Sequence, residues 1–246
     1  RVDALLFQTP KYLPVYAAGN DRRGVIVNNS YVLVNPTKGG ADLLYGEAVA
    51  KNPVVVAAIE GIADYASASD VVMSEFSNWG PTDDFRIKQD ISAKGVAVKS
   101  LSNSSTSGIL VESGTSMAAP AVSGVFTLWQ QYYNQLWPTR NFMRAATLKA
   151  LMAATADEAG SYKNRGSNNV IISPEGPDHR FGWGLINAKK GAEVLGAAKQ
   201  NKAVVSELVL NNGEEYTYQI TIPELNDAPL IAAISWTDKE HSIMSG

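Results

Sequence analysis

The 246-residue chain predicts an α/β fold, a largely parallel sheet flanked by helices, followed by the opening strands of an antiparallel β-sandwich. Three observations carry this. The run Lys51-Asn52-Pro53-Val54-Val55-Val56-Ala57-Ala58 is continuous and β-branched, the pattern of a strand buried on both faces. Residues 121–133 and 141–156 read as helices, the second with Leu148, Leu151, Met152 and Thr155 at three- and four-residue spacing. Beyond residue 200 the pattern breaks into short β-rich runs at 204–210, 216–222 and 230–236, separated by Asn-Asn-Gly and Asn-Asp-Ala-Pro. Residues 1–199 and 200–246 are therefore expected to be separate domains.

Composition agrees with a packed globule: 45% of residues are hydrophobic and 18% charged. A net charge of −3 gives no electrostatic reason for a nucleic-acid partner. No apolar run approaches the roughly 20 residues that span a bilayer. With no cysteine, disulfides and thiolate metal sites are excluded. The chain begins at Arg1 without a signal peptide and stops after Met244-Ser245-Gly246, so both ends read as cut.

In order along the chain, residues 13–18 form a short apolar run that ends at Gly19-Asn20, a buried strand followed by a turn. Residues 25–28 and 31–34 read as two more strands around an Asn-Asn-Ser turn. The most informative stretch is Glu112-Ser113-Gly114-Thr115-Ser116-Met117-Ala118-Ala119-Pro120, which leads into the first helix. A glycine turn feeding a helix N-terminus exposes a serine beside N–H groups that have no internal partner, an arrangement suited to oxyanion stabilisation. On this reading Ala118 and Ala119 leave room for a substrate, and Pro120 lies near the first turn, where its missing N–H costs least. A bare Gly-Thr-Ser equally describes an ordinary helix cap.

The longer string Gly114-Thr115-Ser116-Met117-Ala118-Ala119-Pro120 resembles the nucleophile motif of the subtilisin-like serine peptidases, the subtilases. The resemblance makes Ser116 the nucleophile. Ala17-Ala18-Gly19-Asn20 is similar to the family segment that carries the oxyanion-hole asparagine, which implies that Asn20 donates its amide beside the Ser116 N–H. By the same resemblance Ala17, Ala18 and Gly19 match the wall of the pocket for the residue before the scissile bond. Asp21 falls at the rim of that pocket, with Arg22 and Arg23 close enough in sequence to neutralise it. Residues 76–91 are close to a further family segment, with Gln89 where proline is usual, and Lys94 replaces a second proline before Gly95. Asp83, Asp84 and Asp90 in and around this loop read as structural. Residues 180–188 resemble the end of a subtilase catalytic domain, where Asn187 would cap a last helix running to about Ala198.

The family's other two triad members do not appear. No Asp-Ser/Thr-Gly or His-Gly-Thr segment precedes Ser116, and the two histidines, His179 and His241, both follow it. His179, beside Asp178, reads as a loop histidine. The resemblance thus covers most of residues 13–198 and corresponds to the later part of a subtilisin-like three-layer fold, its early strands absent. The expected partners are a protein or peptide substrate and the missing N-terminal part of the domain, in cis or as a separate chain. A peptide-binding module without catalysis is the alternative. Calcium is common in the family, but no ligand segment maps here, so the cofactor is unassigned. The family also implies a secreted or extracytoplasmic location.

Overall fold

In the computed structural model residues 1–165, 169–220 and 229–240 are described. Their elements, in chain order, are α1 (Val2–Gln8), β1 (Val15–Ala17), β2 (Val25–Val27), β3 (Ser30–Val32), β4 (Val54–Ile59), β5 (Ile91–Lys94), β6 (Val98–Leu101) and β7 (Ile109–Glu112). They continue with α2 (Thr115–Leu136), α3 (Ala145–Thr155), β8 (Ser161–Lys163), β9 (Val170–Ile172) and α4 (Ala188–Lys199).

The β-branched run becomes β4, buried at all six positions. It is the middle strand of a parallel sheet in the order β1-β4-β5, with Val15 opposite Val54 and Val56 opposite Ile91. Burial of each of Val54, Val55, Val56 and Ile59 contributes roughly 1.5–3 kcal/mol, which explains why this stretch carries no polar interruption. Helix α2 lies against one face of the sheet through Val122, Phe126, Trp129 and Tyr133, a single stripe at helical spacing. Helix α4 packs on α2 at Gly191, where a Cβ would collide with the Trp129 indole. The indole Nε1 donates to the Ala188 carbonyl at 2.8 Å. As expected, Asn187 caps α4, its side chain accepting from the Lys190 N–H at 2.8 Å.

Other expectations change in detail. The strands around Asn-Asn-Ser form the antiparallel hairpin β2–β3, with Asn28 and Asn29 at φ 49° and 58°, the conformation a tight hairpin turn demands. Pro120 is the sixth residue of α2, past the first turn, so it removes a real intrahelical donor, the one that would have reached the Ser116 carbonyl. The second helix is shorter than its periodicity suggested, starting only at Ala145, because Arg144 is still extended backbone (φ −67°, ψ 158°); its N–H donates to Glu207 Oε1 at 2.7 Å. Gln89, in place of a proline, is fully buried and donates its amide to the Arg180 carbonyl.

From residue 200 on, the described residues carry no strand ladder. Val209, Ile231 and Ile234 are 71%, 65% and 85% exposed, because a sandwich strand buries its inner side only against a facing sheet. The segment is instead tied down at points. Glu207 holds the start of α3, and Asp238 and Asn52 exchange hydrogen bonds of 2.9 and 2.7 Å. The end of the expected 216–222 strand, most of the Asn-Asp-Ala-Pro turn and His241 lie outside the described residues.

One buried ion pair fixes the loop that enters β5. Lys88, 2% exposed, donates to Asp90 Oδ2 and to the Pro53 carbonyl at 2.9 Å, and Asp90 Oδ2 also accepts from the Val55 N–H at 2.7 Å. Burial pulls the Lys88 pKa down to about 8 against the opposing pull of Asp90, with Lys149 and Arg86 adding repulsion. Between this value and the ordinary lysine range the unfolded chain holds a proton that the folded chain has released, so this group makes stability rise with pH across that window. Urea titrations from pH 7.5 to 10 should show that rise in the native chain and its loss in Lys88→Met. Asp90→Asn, which strands the ammonium, should cost about 3–5 kcal/mol at pH 7.

Candidate active site

Two loops meet beside the sheet. The first leaves β1: the Ala18 N–H donates to the Val56 carbonyl at 3.0 Å, extending the ladder by one residue, and the chain then turns at Gly19 with φ +102°. A side chain at Gly19 would collide with the Asn78 amide, so conformation and space both require glycine. The second loop leaves β7, and the Gly114 N–H donates to the Gly95 carbonyl at 2.8 Å just before α2 begins.

Thr115 joins the two. It is wholly buried; its N–H donates to Asn20 Oδ1 at 2.9 Å, its hydroxyl donates to the same oxygen at 3.0 Å, and that hydroxyl accepts from the Gly19 N–H at 3.1 Å. A backbone N–H can only donate, so the amide oxygen of Asn20 is identified and its nitrogen faces the other way. That nitrogen lies near Gly114. A Cβ built on Gly114 would stand 3.6 Å from Asn20 Nδ2 and 3.7 Å from the Ser116 nitrogen. Two donors therefore flank the bare α-carbon of Gly114. Ser116 is the exposed second residue of α2, and its N–H belongs to the first turn, which has no intrahelical acceptor. An exposed hydroxyl with two N–H donors nearby is an arrangement that could attack a carbonyl and stabilise its oxyanion.

Thr115 escaped the sequence reading. Its signal was local, a β-branched hydroxyl at the first position of a helix, wedged between the turn glycine and the exposed serine. Ala118 and Ala119, expected to make room for substrate, are buried in the core against β4 and β5. Ala17 is half-buried on that core, and Ala18, 2% exposed, packs on the opposite face of the sheet with Ala48 and Val55. Asp21 is held by a reciprocal pair: its N–H donates to Asn78 Oδ1 at 2.7 Å, and Asn78 Nδ2 donates to Asp21 Oδ2 at 3.0 Å. Arg22 does not neutralise it. The Arg22 side chain turns inward, 2% exposed, and stacks 3.6 Å over the Trp79 ring.

His179 is not brought to Ser116 by any hydrogen bond. Its carbonyl accepts from the Gly80 N–H at 3.0 Å, and burial, then Arg180, hold its imidazole below the usual histidine range. Asp84 is engaged with Thr82 and Arg86, and Asp90 with Lys88. Among the described residues no three His, Cys, Asp or Glu side chains gather into a cluster that could hold a metal ion.

A model of the subtilase family matches residues 4–184. The chain belongs to that family. It is 31% identical over 169 residues to the C5a peptidase of Streptococcus pyogenes, covering 66% of this chain and 13% of that protein. It is 32% identical over 146 residues to the PII-type proteinase of Lactococcus lactis subsp. cremoris, covering 55% of this chain and 7% of that protein. The chain thus spans a small part of the length of these relatives. Among solved structures it is similar to the prenylagaramide maturation protease PagA, with a TM-score of 0.49 and 23% identity over 77% of this chain and 52% of that one. The self-cleaved protease domain of PatA gives a TM-score of 0.49 and 22% identity, over 78% of this chain and 53% of that chain.

Thr115→Val should cost about 1–3 kcal/mol, because it leaves the Gly19 N–H unpaired and removes one of the two bonds on Asn20 Oδ1. Thermal denaturation measures the loss, and hydrogen exchange at Gly19 and Asn20 should quicken. Thr115→Ser should stay close to the native chain in both.

Proposed function

We propose that this chain is the C-terminal part of a subtilisin-like serine endopeptidase, which hydrolyses peptide bonds through an acyl-enzyme on Ser116. The observation that carries the reading is the tethering of Asn20 by Thr115, which sets the Asn20 amide beside Gly114 at the start of the helix that exposes the Ser116 hydroxyl. Ser116 Oγ attacks the scissile carbonyl. The oxygen that becomes anionic takes hydrogen bonds from Asn20 and from the Ser116 N–H, donors already in place before the charge develops. A histidine–aspartate pair from segments outside this chain removes the hydroxyl proton, gives it to the leaving amine and then activates the deacylating water. The free side of β1, which among the described residues pairs with β4 alone, supports an upstream segment that completes the sheet and brings this pair. The segment comes in cis or as a separate chain. Family membership supports a secreted or extracytoplasmic setting. No helix among the described residues is long and apolar enough to cross a membrane.

The outward backbone of Ala17-Ala18-Gly19 and the carboxylate of Asp21 form one wall and the rim of the pocket for the residue before the cut. Past residue 200 the expected β-sandwich belongs to a separate domain.

The test is the longer protein. With its upstream segment it should cleave peptides; Ser116→Ala should abolish turnover, and Asn20→Ala should lower kcat by about 10²–10³ with little change in KM, a range known from subtilisin itself. The 246-residue chain alone should show no appreciable turnover, since a serine hydroxyl without a base is a weak nucleophile. Robust hydrolysis by this chain alone, lost in Ser116→Ala, would reveal a base within it. A longer protein that binds peptides but has no upstream aspartate and histidine would be a binding module instead.

Asp21 generates a specificity prediction. Its carboxylate is pinned by Asn78 and is not neutralised by Arg22, so it should favour a basic side chain by roughly 1 kcal/mol at the solvent-facing rim. In the active longer protein Asp21→Asn should reduce the kcat/KM ratio for basic over apolar peptides a few-fold, and more so at low salt. An unchanged ratio at low ionic strength removes Asp21 from the pocket.

A further inference from the structure

Away from the Ser116 junction Arg22 and Arg180 lie over Trp79 and Tyr162, and Arg165 approaches Arg22 from beside Gly40. Arg22 Cζ sits 3.6 Å over the Trp79 centroid, and Arg180 Cζ lies 5.3 Å from that centroid and 4.6 Å from that of Tyr162. The two rings meet edge to face at 5.2 Å. Arg22 Nε and Arg165 Nη2 converge on the bare α-carbon of Gly40, where a Cβ would lie 3.2 and 3.0 Å from them. Three like charges in one partly dry cluster call for a counter-charge.

Among the described residues none is supplied by an ion pair. The acceptors present are neutral: Arg22 donates to the carbonyls of Glu75 at 3.2 Å and Lys163 at 2.8 Å, Arg165 to that of Val34 at 2.6 Å, and Arg180 to Ser173 Oγ at 3.5 Å. The Asp178 carboxylate accepts from the N–H groups of Arg180 and Phe181 and from the Ser173 hydroxyl. Glu75 is exposed and acts on Arg22 only as a more distant charge. Among the described residues five buried atoms of the cluster have no hydrogen-bond partner: Arg22 Nε, Arg165 Nε and Nη2, Arg180 Nε and Trp79 Nε1. Every one of them carries an N–H. What the cluster lacks is acceptor capacity.

We propose that this arginine cluster binds a small inorganic anion of the halide class. Because the unpartnered donors are sealed from solvent, a peptide carboxylate or a polyphosphate would have to unpack the cage, whereas a monatomic ion accepts from several N–H groups at once. Burial, followed by repulsion from Arg165 and Arg180, pulls the Arg22 pKa down to about 10, the shift expected of a guanidinium crowded by its own kind. The bound ion would tie together three separate stretches, since Arg22 follows Asn20 by two residues, Arg165 follows β8, and Arg180 lies in the loop before α4. It therefore braces the far side of the loop that carries Asn20.

The test uses the purified chain with whatever upstream segment it is produced with, and exchanges gluconate for chloride at constant ionic strength. The melting temperature should rise saturably with chloride, by about 3–6 °C at tenfold excess over the dissociation constant. Arg165→Gln and Arg180→Gln should each lose the saturable part and keep only the shallow, linear response that any protein shows to the change of salt. In crystals grown with bromide, an anomalous peak should appear within hydrogen-bond distance of Arg22 Nε. Equal melting curves in the two salts, a saturable response that survives in both variants, or a crystal with no peak in the cluster would each overturn the proposal. The crystal also decides the matter should either variant fail to fold.

Discussion

The structure depends on how closely the start of α2 is allowed to approach the parallel sheet. At Gly95 a Cβ would lie 2.5 Å from Ala58 Cβ, 2.7 Å from the Gly114 carbonyl and 3.3 Å from Ala118 Cβ. Small residues on all three elements let backbone pack almost on backbone, and any added methylene would push the helix away. That proximity brings the Thr115 hydroxyl within reach of Gly19 and Asn20, and so holds the amide nitrogen of Asn20 near Gly114. The lower part of α2 has a different duty. Phe126, Trp129 and Tyr133 bury large aromatic area against the core and α4, so the helix is anchored by its body while Ser116, alone in its first turn, is left exposed.

Polar groups inside the molecule follow two regimes. Thr115, Asn78 and Ser77 are wholly buried and fully engaged, each linking segments far apart in the chain, and such satisfied groups specify one arrangement at little cost. Lys88 and Arg22 are buried charges, and burial weighs against both. Lys88 is offset by a carboxylate at contact. Arg22 is offset by ring faces and carbonyls alone, a weaker compensation for a desolvated cation.

Much of the fold could be read from the residues because its strongest signals are local. The β-branched run at 51–58 is apolar on both faces and so became the central strand. Asn187 sits where only a capping side chain makes sense, and the Asn28-Asn29 pair suits a turn with positive φ. The short strings around Ser116 and Asn20 pointed to one place, and the chain does bring Asn20 to the turn at Gly114 that precedes Ser116. What was hidden depended on three dimensions. Thr115 acts across 95 residues of sequence, so no window around it shows its partner. Ala118 and Ala119 belong to a motif beside the site, yet helix geometry turns them into the core. Arg22 follows an exposed asparagine and an acidic residue, a charged-turn context, and points inward because Trp79 offers its face from another loop. The apolar runs past residue 200 have strand character, which records a propensity; the ladder itself needs neighbours that the described residues do not provide.

The junction between Thr115 and Asn20 also sets an order of events during synthesis. Its halves are 95 residues apart, and strands β4 and β5 lie between them. A nascent chain can expose the serine motif only after the asparagine has long emerged, and the two donors come together only once the intervening sheet has closed and α2 has docked on it. The separation is a long loop to close before any contact rewards it, which places this contact among the slow ones. A junction wired in this way cannot form while the chain around it is still unfolded. Its hydrogen bonds therefore report that the sheet beneath has closed and that the helix has docked.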